Sequence, residues 1–378
     1  MTDKLAKYGP SIFSTMTARA LHYDAINLAQ GFPDFPTDPR LVESVNAAMT
    51  EGYNQYARPI GAPLLHREIE KLVSGHYGAA IEGDKALTVY PGASFAIYIA
   101  IQAILQAGDE VIIFEPSYEC YVPAVELFGG IVRPVRLRAP SFSIDWDEVK
   151  AAFSRKTRLI IINNPHNPTA SVWNRADLEA LHRMVEGSDC LILSDEVYEF
   201  INYTDEGHFS LLSMEELRYR SLVISSFGKS LHVTGWRLGY CIAPPAVTDA
   251  MRKINQFSVF CAHHASQVGV AHYLKHYFNP REIRELYRGK RDLVTEGLRG
   301  SRWKTLTCDG TYFIMLDYSN ISDLPSMDFV EYLVSQHGLA AIPCSPFYSG
   351  DYDPKIIRIC FAKKEETLQK ALDILCNI

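Results

Sequence analysis

Short apolar runs rich in valine and isoleucine alternate with longer amphipathic stretches through the middle of the chain. Apolar runs of this length predict buried strands, and amphipathic stretches predict helices between them. The predicted strands cover residues 86–90, 111–114, 131–137, 158–163, 190–195, 222–226 and 238–243. The predicted helices cover residues 94–106, 118–128, 145–153 and 175–187. This alternation is typical of an α/β domain whose mostly parallel sheet is covered on both faces.

The pattern changes towards the C-terminal end of the chain. A helical pattern runs from Pro245 to about Leu298 with an interruption near Asn279-Pro280, and strand-like segments follow at residues 311–317 and 356–361. Near the start, residues 30–36 are too broken by proline to form a regular element. We predict a large domain over residues 45–275, and a smaller domain of residues 276–378 together with an N-terminal arm of residues 1–44.

The composition narrows the classes of function. With 378 residues of which 47% are hydrophobic, the chain can bury a large core. A net charge of −7 and scattered basic residues do not predict nucleic-acid binding. The polar start and the lack of long apolar stretches indicate a protein that is neither secreted nor membrane-spanning. The 8 cysteines are widely separated, which fits reduced thiols, so we expect a cytoplasmic protein.

Lys229 follows a predicted strand, in the position where open α/β sheets bind their ligands. The Gly-Lys-Ser at 228–230 resembles the end of a nucleotide-binding loop, but that loop requires a glycine where this chain has Val223. The chain also lacks the G-x-G-x-x-G turn of a dinucleotide dehydrogenase after its first strand. Taken alone, Lys229 is an ordinary solvated lysine.

Other polar residues end neighbouring strands. Asp195 and Tyr198 follow one strand, where an aspartate is commonly a turn residue but can also keep a pyridine nitrogen protonated. Asn167 lies between two prolines that restrict its loop. Ala93 and Ser94 begin a helix whose free N–H groups can bind phosphate, which Arg237 can clamp with its planar guanidinium.

A metal site is not expected. The pair His272 and His276 has the i, i+4 spacing of two ligands on one helix face, but no third ligand accompanies it.

These residues, in this order, resemble the fold-type I aminotransferases, which use pyridoxal 5′-phosphate. The resemblance covers nearly the whole chain and is specific to the methionine/kynurenine aminotransferase branch. Its motifs are Q-G-F-P-D-F at 30–35, N-Q-Y at 54–56, P-H-N-P at 165–168, S-D-E-V-Y at 194–198 and S-F-G-K at 226–229. It implies an α/β fold in which a large, mostly parallel seven-stranded sheet domain carries a smaller α+β domain.

The resemblance implies a role for each residue that contacts the cofactor. Lys229 would hold it as a Schiff base and move the substrate proton, and Asp195 would pair with the pyridine nitrogen. Tyr198 and Asn167 would hydrogen-bond the phenolic oxygen, and Tyr118 would stack on the ring. The phosphate would be held by Ala93, Ser94, Ser226 and Arg237, and by Tyr56 of a second subunit in a homodimer with shared active sites.

The resemblance also implies the substrate contacts. Arg358 would clamp the α-carboxylate, aided by Asn167 and the backbone of Gly31. Phe13, Phe260 and Phe347 match pocket aromatics, although plain core phenylalanines would explain them equally well.

The expected substrates follow from what one segment lacks. Relatives that act on acidic substrates add a second arginine within the segment that matches residues 257–262, and this chain has none there. We therefore predict that methionine, or an aromatic or sulfur-containing amino acid, donates its amino group to a 2-oxo acid by a ping-pong mechanism. A carbon–sulfur β-lyase is the alternative, because the same Schiff base chemistry can eliminate a thiolate.

Overall fold

Strands and helices alternate along most of the chain. The computed structural model describes residues 4–378. Its strands are β1 Ile26–Asn27, β2 Leu87–Tyr90, β3 Glu110–Glu115, β4 Ile131–Arg136, β5 Thr157–Asn163, β6 Leu191–Asp195, β7 Ser221–Ser226, β8 Gly239–Ile242, β9 Lys304–Thr305, β10 Phe313–Asp317, β11 Leu339–Ala340, β12 Ile342–Pro343 and β13 Ile356–Cys360. Its helices are α1 Ile12–His22, α2 Pro39–Thr50, α3 Pro63–Tyr77, α4 Gly83–Ala86, α5 Ala93–Ile104, α6 Tyr121–Leu127, α7 Trp146–Ala152, α8 Arg175–Val185, α9 Glu215–Arg218, α10 Phe227–Ser230, α11 Pro245–Ser258, α12 His264–His276, α13 Pro280–Gly297, α14 Ser326–His337 and α15 Glu365–Cys376.

The large sheet has seven strands in the order β2-β8-β7-β6-β5-β3-β4. All neighbours are parallel except at β8, which runs antiparallel to both β2 and β7. Strands β2, β3, β7 and β8 are buried at every residue, because helices cover both faces. Edge strand β4 is largely accessible and contains Pro134, whose missing N–H is tolerated at an edge. The predicted mostly parallel sheet is confirmed.

The register of this sheet brings polar strand ends together. In β5 and β6, Asn163 is directly opposite Asp195, and in β7 Ile224 is opposite Asp195. Ser226, the last residue of β7, therefore lies at the same edge. Because parallel strands present their carboxyl ends at one edge, a ligand placed there meets side chains from several strands.

The smaller domain contains an antiparallel sheet in the order β12-β13-β10-β9. Its strands β10 and β13 were predicted from the sequence, while β1 adds a short parallel pair with β11. The loop after β1 is attached to this domain, since the N–H of Cys360 donates to the carbonyl of Leu28 at 2.8 Å. The loop containing Gly31 is thereby placed beside β13.

Helix α2 spans the predicted domain boundary at residue 45. Leu41 and Val45 are buried, and the α2 backbone approaches Gly269 of α12 so closely that a Cβ there would lie 2.4 Å from Val45 Cγ2. Since α2 packs on α12 along its length, we propose that the large domain begins in the loop before Pro39.

The helical stretch from Pro245 breaks at a place that its apolar pattern did not indicate. The predicted interruption near Asn279-Pro280 lies between α12 and α13, but a further break was not predicted, because α11 ends at Ser258 and α12 begins at His264. Phe260 has a φ of +73°, and its carbonyl accepts a hydrogen bond from Asn255 Nδ2 at 3.0 Å. The His263 side chain then caps α12 by accepting from the N–H of Ser266. Side-chain hydrogen bonds therefore stabilise this turn.

Of the helices within residues 4–378, none combines the length and apolar character needed to cross a membrane.

Candidate active site

A cavity of about 390 Å³ lies at the carboxyl ends of β5, β6 and β7, between the large sheet and β13. Most of the residues predicted to act together line it. They are Phe13, Gly31, Ala93, Ser94, Tyr118, Asn167, Asp195, Tyr198, Ser226, Lys229, Arg237 and Arg358. Residues that lie far apart in the sequence, from the N-terminal arm to the last strand, therefore line the same cavity.

Lys229 lies in α10, the short helix that follows β7. The Ser226 hydroxyl caps this helix by accepting from the N–H of Gly228 at 3.2 Å. Lys229 Nζ lies 5.7 Å from the ring centroid of Tyr198 and 5.9 Å from that of Tyr312. Burial lowers the pKa of Lys229 to about 8, against the opposing effect of the Asp195 charge. About a tenth of the amine is therefore unprotonated at pH 7, far more than for an ordinary lysine.

Asp195 ends β6 and presents a buried carboxylate to the cavity. Its Oδ2 accepts from the Tyr121 hydroxyl at 2.6 Å, and its backbone carbonyl accepts from Asn163 Nδ2 at 2.7 Å. Burial raises the pKa of Asp195 to about 6, while the hydrogen bond from Tyr121 acts in the opposite direction. The carboxylate is therefore mostly ionised at neutral pH.

The start of α5 forms a cradle for an anion. Gly92 caps this helix without a side-chain hydrogen bond, so the first N–H groups, at Ala93 and Ser94, have no capping acceptor. The Arg237 guanidinium packs against Gly92, where a Cβ would lie 2.6 Å from Nη2. Gly92 also has a φ of +90°, which favours glycine. Helix N–H groups and a guanidinium together suit a phosphate.

Arg358 lies in β13 and is only 1% exposed. Its Nη1 donates to Asn167 Oδ1 at 2.7 Å, its Nη2 donates to the Ala29 carbonyl at 3.2 Å, and its Nε has no partner. Its guanidinium carbon lies 3.8 Å from the ring centroid of Phe313. Within residues 4–378 no carboxylate forms a salt bridge with it. A buried cation of this kind favours an anionic ligand such as a carboxylate.

Aromatic side chains surround these groups. The ring of Tyr198 packs edge-on against that of Tyr312 at 5.2 Å, and burial raises the pKa of Tyr198, so its hydroxyl keeps its proton and can donate. Tyr312 donates to the carbonyl of Gly31 at 2.7 Å. A Cβ on Gly31 would lie 2.7 Å from Phe313 Cζ, so this loop approaches the aromatic wall only as glycine.

Three predicted site residues do not line this cavity. Phe347 lies beside it, with its ring 5.9 Å from the ring of Phe13 and from the Arg358 guanidinium. Tyr56 is 82% exposed and packs its ring against Phe260 at 5.3 Å. The structure thus places Tyr56 and Phe260 together on the surface of the chain.

Several residues of the site were missed by the sequence analysis. Asn163 ends its strand as Asp195 does, so its position carried a usable signal. Tyr121, Tyr312 and Lys363 carried none, because only the fold brings them to the site. Lys363 is 3% exposed, and its Nζ donates to the carbonyl of Phe32 at 2.9 Å and that of Gln30 at 3.4 Å. It therefore secures the loop on both sides of Gly31.

The pair His272 and His276 has ring centroids 4.6 Å apart, and His272 Nδ1 is hydrogen-bonded to the Ser44 hydroxyl at 3.1 Å. In the part of the chain described, no three His, Cys, Asp or Glu side chains converge as metal ligands.

Comparison with known proteins shows which proteins this chain is similar to. A methionine aminotransferase of Escherichia coli (strain K12) is 43% identical over 377 residues, which cover 99% of this chain and 97% of that protein. A kynurenine–oxoglutarate transaminase of Dictyostelium discoideum is 32% identical over 420 residues, covering 100% of this chain and 96% of that protein.

A solved structure agrees along the whole chain. A crystal structure identified as that of an Escherichia coli protein with methionine aminotransferase function superposes with a TM-score of 0.97 and 42% identity, covering 100% of this chain and 99% of that one. The family model for class I and II aminotransferases matches residues 23–375. The chain therefore belongs to the class I and II aminotransferases, which depend on pyridoxal 5′-phosphate.

Proposed function

We propose that this aminotransferase transfers the amino group of methionine, or of an aromatic or other sulfur-containing amino acid, to a 2-oxo acid by a ping-pong mechanism. The observation that carries the substrate class is the aromatic wall beside Arg358. The rings of Phe13 and Phe313 lie 5.0 and 3.8 Å from its guanidinium carbon. Among the described cavity-lining residues the cations are Lys229, Arg237 and Arg358, so no further cation is present to pair with an acidic side chain.

The cavity fits the cofactor of this class. When bound, pyridoxal 5′-phosphate supplies a reactive carbonyl and an electron-withdrawing ring that stabilises negative charge on the substrate α-carbon. The cradle formed by Ala93, Ser94, Ser226 and Arg237 would hold the phosphate. In addition, Asp195 would hold the protonated ring nitrogen, Asn167 and Tyr198 would donate to the ring oxygen, and Tyr118 would pack against the ring.

Lys229 is the group that moves the proton. Its pKa of about 8 leaves some unprotonated amine at neutral pH, so Lys229 would be the residue that holds the cofactor, and its Nζ would accept the proton of the substrate α-carbon. Asp195 stays ionised above about pH 6 and would keep a proton on the ring nitrogen. Burial disfavours the charged form of both groups, so it lowers the pKa of Lys229 and raises the pKa of Asp195.

The substrate carboxylate would bind Arg358. Asn167 Oδ1 already accepts from Nη1 of this guanidinium, which holds its plane in place before a substrate arrives. The backbone of Gly31 lies in the same wall, and Lys363 holds the carbonyls on either side of it. A planar guanidinium held in this way orients the α-carbon relative to Lys229.

We also propose that the active protein is a cytoplasmic homodimer in which Tyr56 completes the partner's phosphate cradle. In support of the dimer, Tyr56 is 82% exposed and packs against Phe260, and Phe257 and Val259, which precede Phe260 in the sequence, are 86% and 45% exposed. Exposed aromatic patches of this kind are typical of interfaces. In support of the location, the eight cysteines are unpaired thiols.

The test is a donor and acceptor panel with purified holoenzyme. We expect methionine, phenylalanine and kynurenine to form new amino acid with several 2-oxo acids, at higher kcat/KM than aspartate or glutamate. The Lys229→Ala variant should form none. Faster turnover of aspartate or glutamate than of methionine would contradict the substrate class.

The same panel separates a transferase from a carbon–sulfur lyase. Release of pyruvate and thiol from cystathionine, measured beside amino transfer, should remain the slower reaction. Pyruvate release that outpaces amino transfer from every donor would overturn the proposed main activity.

A further inference from the structure

Tyr121 makes the shortest hydrogen bond to the carboxylate that faces the cofactor. Its hydroxyl lies 2.6 Å from Asp195 Oδ2, and the two residues are 2% and 4% exposed. The other donor to the carboxylate is the backbone N–H of Val197, at the longer distance of 3.4 Å from Oδ1. Tyr121 does not line the cavity and both residues are almost fully buried, so solvent has little access to the side of the carboxylate that Tyr121 contacts.

In this hydrogen bond the Tyr121 hydroxyl is the donor and the Asp195 carboxylate is the acceptor. Burial and the neighbouring negative charge raise the pKa of Tyr121 well above its ordinary value, so the phenol keeps its proton. A phenol that holds its proton donates to a carboxylate, and this bond favours the ionised form of the carboxyl group. The hydrogen bond from Tyr121 counteracts the effect of burial, so removing the hydroxyl would raise the pKa of Asp195.

Tyr121 reaches the cofactor site only through Asp195. It does not line the cavity, whereas Tyr118, one turn earlier, does. The N–H of Tyr121 donates to the carbonyl of Tyr118 at 3.2 Å, and the two rings pack edge-on at 5.7 Å. This one turn therefore carries both a ring that faces the cavity and a hydroxyl that holds Asp195 from behind.

We propose that Tyr121 is a positioning residue for cofactor binding: its hydroxyl holds Asp195 Oδ2 in place and keeps the carboxylate charged for the ring nitrogen of the cofactor. The proposal rests on the proposed role of Asp195. Tyr121 itself does not line the cavity, so it would act only through Asp195.

The test measures the affinity of the full-length, cofactor-free chain for pyridoxamine 5′-phosphate from pH 5 to pH 8.5. This ligand has the ring nitrogen and the phosphate but does not bond to Lys229, so the affinity reports non-covalent contacts alone. In the wild type, affinity should fall as the pH drops through the pKa of Asp195, about 6. In Tyr121→Phe, we expect the midpoint of this fall to move upward by about one pH unit.

Two control variants separate this role from a structural one. Tyr203→Phe removes another buried phenol whose hydroxyl bonds at 2.6 Å, in that case to the Thr311 carbonyl, and should keep the wild-type midpoint. Asp195→Asn should lose the part of the pH dependence that comes from the carboxylate and keep only that of the ligand phosphate, whose second pKa is also about 6. Adding Tyr121→Phe to Asp195→Asn should shift nothing further. If Asp195→Asn leaves the wild-type curve unchanged, the proposed role of Asp195 fails.

A wild-type midpoint in Tyr121→Phe, combined with a clear effect of Asp195→Asn, would overturn the role of Tyr121 alone. If the cofactor-free Tyr121→Phe chain does not fold, the holoenzyme is titrated instead, since bound cofactor adds stability. Cofactor retained after dialysis is then measured against pH. Retention should be lost at a higher pH in Tyr121→Phe than in wild type, and coincident curves would contradict the proposal.

Discussion

At the scale of single residues, the site holds charges that folding alone would not favour. Asp195 and Arg358 are 4% and 1% exposed, and Lys229 has its pKa lowered by burial. Each loses hydration on folding, and the compensation is incomplete until a ligand arrives. Such residues serve binding at the expense of stability, so substitutions there should separate the two properties.

For Asp195→Asn we expect a gain in the stability of the cofactor-free chain at pH 7.5. The folded-state pKa of Asp195 is raised to about 6, so stability falls as the pH rises from the ordinary carboxyl pKa to about 6, and stays lower above it. A neutral amide removes this penalty, which is on the order of 1 to 3 kcal/mol and already includes the opposing attraction between Asp195 and Lys229. Urea unfolding at pH 7.5 and pH 4 measures the difference, which should vanish at pH 4. The exposed substitution Asp147→Asn is the control, and an equal loss of stability by Asp195→Asn at both pH values would contradict the prediction.

For Arg358→Lys we expect a large loss in kcat/KM with every donor and acceptor. A lysine cannot reproduce the planar fork that contacts Asn167 and that we propose binds the substrate carboxylate. A misfitted buried charge pair costs about 2 to 5 kcal/mol, which is about 30-fold or more. Steady-state kinetics with methionine measures it. Arg252→Lys, in which a half-buried arginine donates to the carbonyls of Asp84 and Leu87 away from the cavity, should stay within twofold of wild type, an estimate for a substitution outside the site. Equal losses in the two variants would show a general effect of replacing arginine.

At the scale of secondary structure elements, the strands and the turns that follow them are predictable to different degrees. Each strand of the large sheet begins and ends within one residue of its predicted bounds, because long apolar β-branched runs have few alternatives in a sheet covered on both faces. The break between α11 and α12 was not predicted, since it depends on a hydrogen bond donated by the Asn255 side chain and one accepted by the His263 side chain rather than on an apolar repeat. The turns carry the chemistry, and their conformations depend on close contacts.

The turn before α5 provides a test with a matched control. Gly92 and Gly108 have nearly the same φ, +90° and +92°, but a Cβ on Gly92 would collide with Arg237 whereas nothing lies within 4 Å of one on Gly108. We expect alanine to destabilise the chain by about 1 kcal/mol at either position through backbone strain. Only Gly92→Ala should also weaken binding of pyridoxamine 5′-phosphate, by about tenfold or more, because it displaces the guanidinium of the phosphate cradle. Equal ligand affinity in the two variants would show that the Arg237 guanidinium binds the ligand equally well without a glycine at position 92.

At the scale of the whole molecule, the N-terminal arm, the large sheet and β13 all contribute to one cavity, while Tyr56 and Phe260 face outward from it. The proposed homodimer gives this outward surface a function. A dimer in which each subunit lends Tyr56 to the other makes each site depend on two chains.

Subunit mixing tests this arrangement. Tyr56→Ala alone should weaken cofactor binding, and Lys229→Ala alone should be inactive. After denaturation and refolding of the two together, random pairing should restore roughly a quarter of the sites, because each mixed dimer has one site with both residues intact. Tyr219→Ala is the control, because it alters another exposed tyrosine, which is 71% exposed. This variant should be fully active without being mixed with a second variant. If the mixture shows no more activity than the two variants assayed separately, Tyr56 acts within its own chain.

By itself, the sequence determined the sheet strands, the α/β class and most residues of the cavity wall, because apolar periodicity follows from burial and because Lys229, Asp195, Asn167 and Arg358 belong to an ordered set of residues that resembles the fold-type I aminotransferases. The tertiary structure decided which side chains act behind that wall. The bond from Tyr121 to Asp195 and those from Lys363 to the carbonyls beside Gly31 join residues that are 74 and more than 330 positions apart. Contacts over such separations depend on how the elements pack, and no local pattern of polar and apolar residues encodes them.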